Sequence, residues 1–309
     1  MTFRLDLKWF AMIHARMLRY LDEVARTGSI RHAADKVNVS SSAINRQILD
    51  LEAQLGTPIF HRLPRGVRLT SAGEILISHI RQTLKEYDRT RERMLDLQGL
   101  KAGHVTVAAR SGLAQGLLTK AGLAFQAKFP RIKMTVRSLT AEQIMSQVEA
   151  GDADLGLIYN LPPHHGLHVM EIFETPLGAV VSKDHPLANQ ASVRLSQCAD
   201  YPIVLSERWI TVNRVLTTAF ARAKLPFAPA FETNSIAMMK ALVLDGRHVT
   251  FLGMADVRYS NEEDRLKHLP IKNAGIPSQP LALIHRSNAT LGLAASLFAE
   301  DLRALLAKV

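Results

Sequence analysis

Four polar side chains, Ser41, Ser42, Asn45 and Arg46, fall within one short stretch, where two helical turns would present them together. Their chemistry suits base-pair edges. An asparagine amide can bond bidentately to N6 and N7 of adenine, an arginine guanidinium to O6 and N7 of guanine, and a serine hydroxyl to either. A good bidentate pair is worth about 1–3 kcal/mol of discrimination. A solvated helix face carries the same residue types, so the neighbouring elements must decide. Shortly downstream, Arg62, Arg65 and Arg68 surround Pro64 and Gly66. Such cations suit backbone phosphates, contacts that hold register without reading sequence and make affinity fall steeply with salt.

A second group lies where strand-like runs give way to helical ones. Arg110-Ser111-Gly112, Leu139-Thr140 and Thr233-Asn234-Ser235 sit at such junctions, and the free N–H groups and positive dipole end of a helix N-terminus favour an anion. Ser111, Thr140, Asn234 and Ser235 are therefore candidate effector contacts, with ordinary capping as the alternative use of their side chains. His164, His165 and His168 could share a metal ion only on one helical face. Pro163 and Gly166 argue for an exposed loop, and no cysteine or clear carboxylate completes a set. No metal and no cofactor is expected. There is no Gly-x-Ser-x-Gly elbow, phosphate loop or His-Glu-x-x-His motif, so an enzyme is not expected either.

The elements that must position the first group are legible. Met17, Leu18, Leu21 and Val24 recur at helical spacing, with Gly28 as a stop. Ser29 can cap a second helix whose buried face holds Ile30, Ala33, Ala34 and Val37, the alanines permitting a close crossing. After a short turn at Asn38 and Val39, Ser40 can cap a third helix running to about Leu55. Its stripe Ile44, Ile48, Leu51 and Leu55 is expected to face a core, leaving Ser41, Ser42, Asn45 and Arg46 on the opposite side, where a recognition helix meets base edges. Residues 58–62 and 67–70 read as two strands joined by the turn Leu63-Pro64-Arg65-Gly66, a wing. Ser40, Arg62, Arg65 and Arg68 are expected on the DNA backbone.

Ser71-Ala72-Gly73-Glu74 has the form of a capping box, with Thr70 as an alternative cap, and opens a long helix. Along it Ile77, Ile80, Leu84, Tyr87, Arg91, Met94 and Gln98 alternate steps of three and four, the rhythm of a coiled-coil seam. Pairing of two copies explains this stripe, and packing on the chain's own C-terminal half is the alternative. From Gly103 onward short β-rich runs alternate with helices in two successive sets, a βαβ organisation with two lobes and a ligand cleft between them.

Composition agrees. The chain has 309 residues, 47% of them hydrophobic, a formal net charge of +10 and one cysteine. That length suits more than one domain, the basic balance suits a polyanion, and a lone Cys198 excludes an intramolecular disulfide framework. Between Arg26 and Arg68 five arginines and lysines beyond those two, Arg31, Lys36, Arg46, Arg62 and Arg65, face only Asp35, Asp50 and Glu52. The apolar stretch Trp9 to Ile13 is too short for a membrane span or a signal h-region, so a cytoplasmic location and no membrane partner are expected.

The run from Leu18 through Gly73 resembles the signature of LysR-type transcriptional regulators. It contains GSIRHAADKVNVSSSAINRQILDLEAQLGTPIFHR, then LTSAGE, with the Ala33-Ala34 pair, Arg46-Gln47, Leu55-Gly56, Phe60, Arg62 and Leu69-Thr70 at matching positions. The chain departs where the family usually has Gln-Pro, here Ser41-Ser42, and commonly Ser, here Asn45; this bears on the target sequence rather than on DNA binding. It also extends before the usual family start near Arg16, leaving Met12 and Met17 as alternative initiation sites.

The resemblance implies a winged helix-turn-helix at 1–73 with an extension at 1–15, a linker and dimerisation helix with its hinge at 74–102, and an effector-binding domain at 103–309. The fold class is thus a mostly α DNA-binding unit, a long linker helix and an α/β two-lobed sensor of the type 2 periplasmic-binding kind. Its first lobe would take about 103–176 and 281–309, its second about 177–280. Ser111 and Thr140 match family positions that touch effectors, while Gly246-Arg247-His248 departs from the usual Gly-x-Gly near the cleft. The implied function is sequence-specific transcriptional regulation under a small-molecule effector, a carboxylate among the candidates. The implied partners are double-stranded DNA, a second copy or three further copies of the chain, with dimerisation through Ile77, Ile80, Leu84, Tyr87 and Met94, and RNA polymerase. A transport solute-binding protein and a sequence-blind architectural DNA protein are the competing readings.

Overall fold

The computed structural model describes residues 14–64, 66–96, 102–208, 210–260, 262–272, 275–287 and 289–308. The chain divides into two compact units, Met1–Met94 and Leu95–Val309. Arg65, Gln98, Trp9 and the rest of the N-terminal extension to residue 13 lie outside the described residues.

In the first unit α1 (His14–Thr27), α2 (Ile30–Val37) and α3 (Ser41–Leu55) are separated by two tight turns. Each boundary has a local cause. Gly28 leaves α1 with φ +63°; the Ser29 hydroxyl accepts from His32 N–H; Asn38 turns with φ 59°; and the Ser40 hydroxyl accepts from Ala43 N–H. These satisfy backbone groups that helix ends would otherwise orphan. A wing of β1 (Phe60–Leu63) and β2 (Gly66–Leu69) follows, paired from Phe60 with Leu69 to Leu63 with Gly66. Glu52 accepts from the backbone N–H groups of Ile59 at 2.7 Å and Phe60 at 3.1 Å, tying α3 to the wing's base. The long helix α4 (Ser71–Asp96) is capped by Thr70, whose hydroxyl accepts from Gly73 N–H at 2.9 Å, rather than by Ser71.

Leu21, Val24, Ala33, Ala34, Ile44, Ile48 and Ile59 form the core of this unit together with Ile77 and Ile80 of α4. Leu55 is 50% exposed, so the expected stripe ends a turn earlier. Ion pairs of Arg81 with Asp22 (2.6 Å) and Arg19 with Asp88 (3.3 Å) hold α4 along α1.

The second unit holds two five-stranded mixed sheets. The first contains β3 (Gly103–Ala109), β4 (Ile132–Ser138), β5 (Leu155–Tyr159) and β6 (Leu167–Thr175) with the returning β12 (Gln279–Arg286), in the order β4-β3-β5-β12-β6. The second contains β7 (Leu177–Ser182), β8 (Ile203–Ser206), β9 (Phe231–Thr233), β10 (Val249–Gly253) and β11 (Leu266–Pro270), in the order β11-β7-β10-β8-β9. In each, parallel βαβ units meet an antiparallel strand. Strands buried on both faces read as continuous apolar runs. In β3, Val105, Val107 and Ala109 point to one core and Ala108 to the other; in β10, Val249 and Phe251 oppose Leu252.

Helices cover these faces: α5 (Ser111–Gln115), α6 (Leu117–Lys128), α7 (Ala141–Glu149) and α12 (Leu293–Leu306) on the first sheet, α8 (Leu195–Ala199), α9 (Thr211–Arg222), α10 (Ile236–Val243) and α11 (Met254–Arg258) on the second. The helical run after β3 is broken in two at Gly116. β9 starts only at Phe231, since Pro229 just before it lacks the N–H group a ladder needs. One expectation is corrected. The histidine loop ends at Gly166, and His168 belongs to β6.

The chain passes between sheets at Thr175–Leu177 and again between Pro270 and Gln279. The two crossings are fastened together where the buried Thr175 hydroxyl donates to the backbone carbonyl of Gln279.

Candidate functional site

The first and second turns of α3 present Ser41, Ser42 and Arg46 to solvent, with Asn45 half-buried. Arg62, on the first wing strand, reaches back and its Nη2 donates to Asn45 Oδ1 at 2.9 Å. The Ser42 hydroxyl bonds to that of Ser40 at 3.2 Å. One patch therefore contains Ser40, Ser42, Asn45 and Arg62, and Arg68 is exposed on the second wing strand. Arg65 at the wing's tip lies outside the described residues. The wing is held against the helices at Gly66, where φ is +119° and a Cβ would lie 2.3 Å from the Gly28 carbonyl oxygen. That carbonyl accepts from Val67 N–H at 2.8 Å.

The basic patch is smaller than the sequence suggests. Glu23 pairs with Arg26 at 2.7 Å and Lys36 at 3.4 Å, and the bond from Arg26 holds its carboxyl below the ordinary value. Among the described residues, Arg31, Arg46 and Arg68 have no ion pair.

Of the five residues read as a seam, Ile77 and Ile80 are each 1% exposed inside their own unit's core. This corrects the expectation for those two: burial within one copy already accounts for them. Leu84 and Tyr87 are half-buried and Met94 is 43% exposed.

In the second unit a cavity of about 180 Å³ lies at the carboxyl ends of strands from both sheets, where open α/β sheets place ligands. Arg110 follows β3, Tyr159 ends β5, Ser206 ends β8, Thr233 ends β9 and Gly253 ends β10, while α11 supplies Asp256. Of the four expected effector contacts, only Asn234 lines it. Thr140 and Ser235 are occupied as helix caps, accepting from Gln143 N–H at 3.4 Å and Met238 N–H at 3.2 Å. Ser111 begins α5 and stands outside the lining. Nor do Arg247 and His248 reach the cavity: they fold around Asp245, whose carboxyl stays well below its usual range because their hydrogen bonds outweigh its partial burial.

Asp256 is 5% exposed and accepts a hydrogen bond from Tyr159 Oη at 3.3 Å. Burial pushes its carboxyl up to about 6, against the opposing pull of Tyr159, Lys240 and Arg110. Burial, then the nearby Asp256 carboxyl, likewise raise the Tyr159 phenol well above its usual range. The buried Lys240 is engaged by Glu262 at 3.1 Å. Gly112 makes room for this acid, since a Cβ there would sit 2.2 Å from Asp256 Oδ1.

Elsewhere, Cys198 is buried and its thiol is pushed up to about 12 by desolvation, which leaves it protonated and unreactive. His164 lies 3.7 Å from Glu149, and the His168 and His285 rings are 4.8 Å apart. Among the described residues no group of three or more metal-ligating side chains could hold an ion, and no helix is long and apolar enough to cross a membrane.

A winged helix-turn-helix joined to a two-lobed ligand-binding domain defines a one-component regulator, in which one chain carries both DNA-binding and sensing parts. The family model for the bacterial regulatory helix-turn-helix protein of the LysR family matches residues 15–74, and that for the LysR substrate binding domain matches residues 98–307. The chain belongs to the LysR family of DNA-binding transcriptional regulators; it is not an enzyme. A probable RuBisCO transcriptional regulator of Trichormus variabilis is 26% identical over 291 residues, covering 92% of this chain and 86% of that protein. Among solved structures, full-length OxyR from Pseudomonas aeruginosa superposes with a TM-score of 0.68 at 19% identity, covering 94% of this chain and 95% of the other. Full-length CbnR in complex with its target DNA gives 0.64 at 21% identity, covering 94% and 99%.

Proposed function

We propose that this regulator reads specific DNA as an oligomer and changes its grip when a small molecule enters the cleft of the second unit. Ser41, Ser42, Asn45 and Arg46 contact base edges, and Ser40, Arg62, Arg65 and Arg68 hold the phosphates. The observation that carries this reading is the exposed polar start of α3 standing beside a wing whose Arg62 touches it. Half of such a surface positions and half specifies. A dimer or tetramer forms through the far part of α4, from Leu84 onward to Met94, placing two recognition helices on successive half-sites. The effector domain spans 103–309, and the protein acts in the cytoplasm.

The effector, a carboxylate in the simplest case, binds at the strand ends that carry Arg110 and Asn234. It acts only through different affinity for two arrangements of the oligomer, since a ligand that binds both equally shifts nothing. The altered spacing then changes DNA bending or contact with RNA polymerase.

The test is selection of bound fragments from random and genomic DNA by the purified chain at near-physiological salt. Enrichment of an inverted repeat with half-sites about one helical turn apart supports the reading. Uniform recovery of unrelated duplexes, with and without cell metabolites, would instead make this a sequence-blind architectural protein.

A further inference from the structure

Several polar groups around the cleft lack the partners that burial demands. Ser206 is 6% exposed and its hydroxyl has no hydrogen-bond partner among the described residues. Asp256 is a buried carboxyl whose neighbouring cation, Lys240, is already taken by Glu262. The guanidinium of Arg110, half-buried at the cleft, has neither hydrogen bond nor ion pair among the described residues. Arg110 and Asp256 thus line the same small cavity with no ion pair joining them.

The chemistry of a ligand follows from completing both. A plain carboxylate would satisfy Arg110 but leave the Asp256 carboxyl facing a like charge, with Glu142 on the same lining. A plain amine would satisfy Asp256 and leave Arg110 unpaired. A molecule carrying both groups satisfies each. We infer that the cleft takes a compact zwitterion of the α-amino acid class, with its carboxylate on Arg110, its ammonium on Asp256 and the Ser206 hydroxyl as a further partner. This rests on reading the cleft as the effector site.

Two further features agree. Gly253 has φ −68° and ψ 150°, a conformation any residue adopts, so the backbone does not require glycine there. A Cβ at that position would lie 3.4 Å from Tyr159 Oη, 3.6 Å from Asp256 Oδ2 and 3.7 Å from Thr175 Oγ1. The missing side chain keeps open the space beside the carboxyl. Beyond it Ile158, Ile236, Met239 and Phe251 give an apolar wall for an aliphatic side chain, and the volume of about 180 Å³ favours a small one.

The experiment titrates the full-length protein by calorimetry with each of the common α-amino acids, then with the des-amino acid and the decarboxylated amine of every binder. At least one amino acid is expected to bind, both analogues at least tenfold more weakly. Asp256→Asn is expected to lower the amino acid's affinity at least tenfold and to leave the des-amino acid unchanged or tighter; Arg110→Gln, a second variant at a half-buried rather than a core position, is expected to weaken the amino acid and spare the amine. Gly253→Val fills the space and abolishes binding. No binding by any amino acid, or parent and des-amino acid binding equally in both wild type and Asp256→Asn, overturns the inference. If des-amino acids alone bind and Gly253→Val abolishes that, the ligand class fails while the cleft stands as the effector site. If an amino acid binds Gly253→Val as tightly as wild type, the reading of the cleft itself fails.

Discussion

Arg62 on the wing donates a 2.9 Å hydrogen bond to the Oδ1 of Asn45 on the recognition helix. The proposed reading gives the two side chains different tasks on DNA, yet without DNA one occupies the other's acceptor. Bidentate reading of adenine needs that oxygen as well as the amide N–H, so on that reading engagement of a phosphate by Arg62 would be coupled to release of Asn45. Arg62→Ala is expected to weaken all sequences while preserving base preference. Asn45→Ala is expected to erase preference at one position by a factor of about 5 to 150, the equivalent of about 1–3 kcal/mol. Affinities for an operator and its single-base variants separate the two, and equal loss of preference in both variants would refute the division of labour.

Arg46 and Arg68 form a matching pair of tests. Arg46→Ala should relax base preference, whereas Arg68→Ala should weaken every duplex alike and reduce the slope of log affinity against log salt by about 1. A salt titration on specific and random DNA reads both.

Gly66 fixes the wing. Any side chain there meets both the strained φ of +119° and the Gly28 carbonyl oxygen at 2.3 Å. Gly66→Ala is expected to cost about 1–3 kcal/mol of stability in the first unit and to lower affinity for DNA regardless of sequence. Thermal unfolding and binding to two unrelated duplexes would show it; unchanged values for both would mean that the turn relaxes freely.

Ile80 and Met94 lie on one helix but are expected to fail differently. Ile80→Ala removes a fully buried side chain and should cost about 2–4 kcal/mol. Met94→Glu, at an exposed position, should leave thermal stability nearly unchanged and shift the sedimentation profile toward the single chain. Dissociation by Ile80→Ala with no loss of stability would restore Ile80 to the seam.

Asp256 gives a pH dependence with a definite sign. Its carboxyl is raised to about 6 from an ordinary value of 3.8, so the folded chain holds a proton that the unfolded chain has lost. Its contribution is most favourable below about pH 4 and declines as pH rises to about 6, a change on the order of 3 kcal/mol. Tyr159, which donates to it, keeps its proton across that window, its phenol lying well above the usual range. Asp256→Asn removes the effect, so the gain in melting temperature of the variant over wild type should grow between pH 4 and 7 and level off above. A constant difference would place the titration elsewhere.

The DNA-binding unit was largely legible because its causes are local. Ser29, Ser40, Gly28 and the Pro64-Gly66 turn act on backbone groups a few residues away. The cleft was not, because its groups meet only through the fold. Tyr159 and Asp256 are bonded across 97 residues. The hydroxyls of Thr140 and Ser235, chosen for standing at helix starts, are spent on the capping that makes such residues common there. One signal was present: Asp256 is an acid closely following the apolar run Val249–Leu252, where burial without a partner is costly. The strand Leu167–Thr175 is hard to read because His168, Glu171 and Glu174 interrupt the apolar residues on both faces and a bulge near Met170 shifts the alternation.

The bond from Thr175 to the Gln279 carbonyl gives the sensor a mechanical character. Two straps pinned side by side act like the barrel of a door hinge: the leaves keep a swing about the pin and lose independent sliding. Gln279 also borders the cavity, so on the proposed reading a molecule seated there would push close to the pin, where a small displacement is levered into the longest arc at the distant rims.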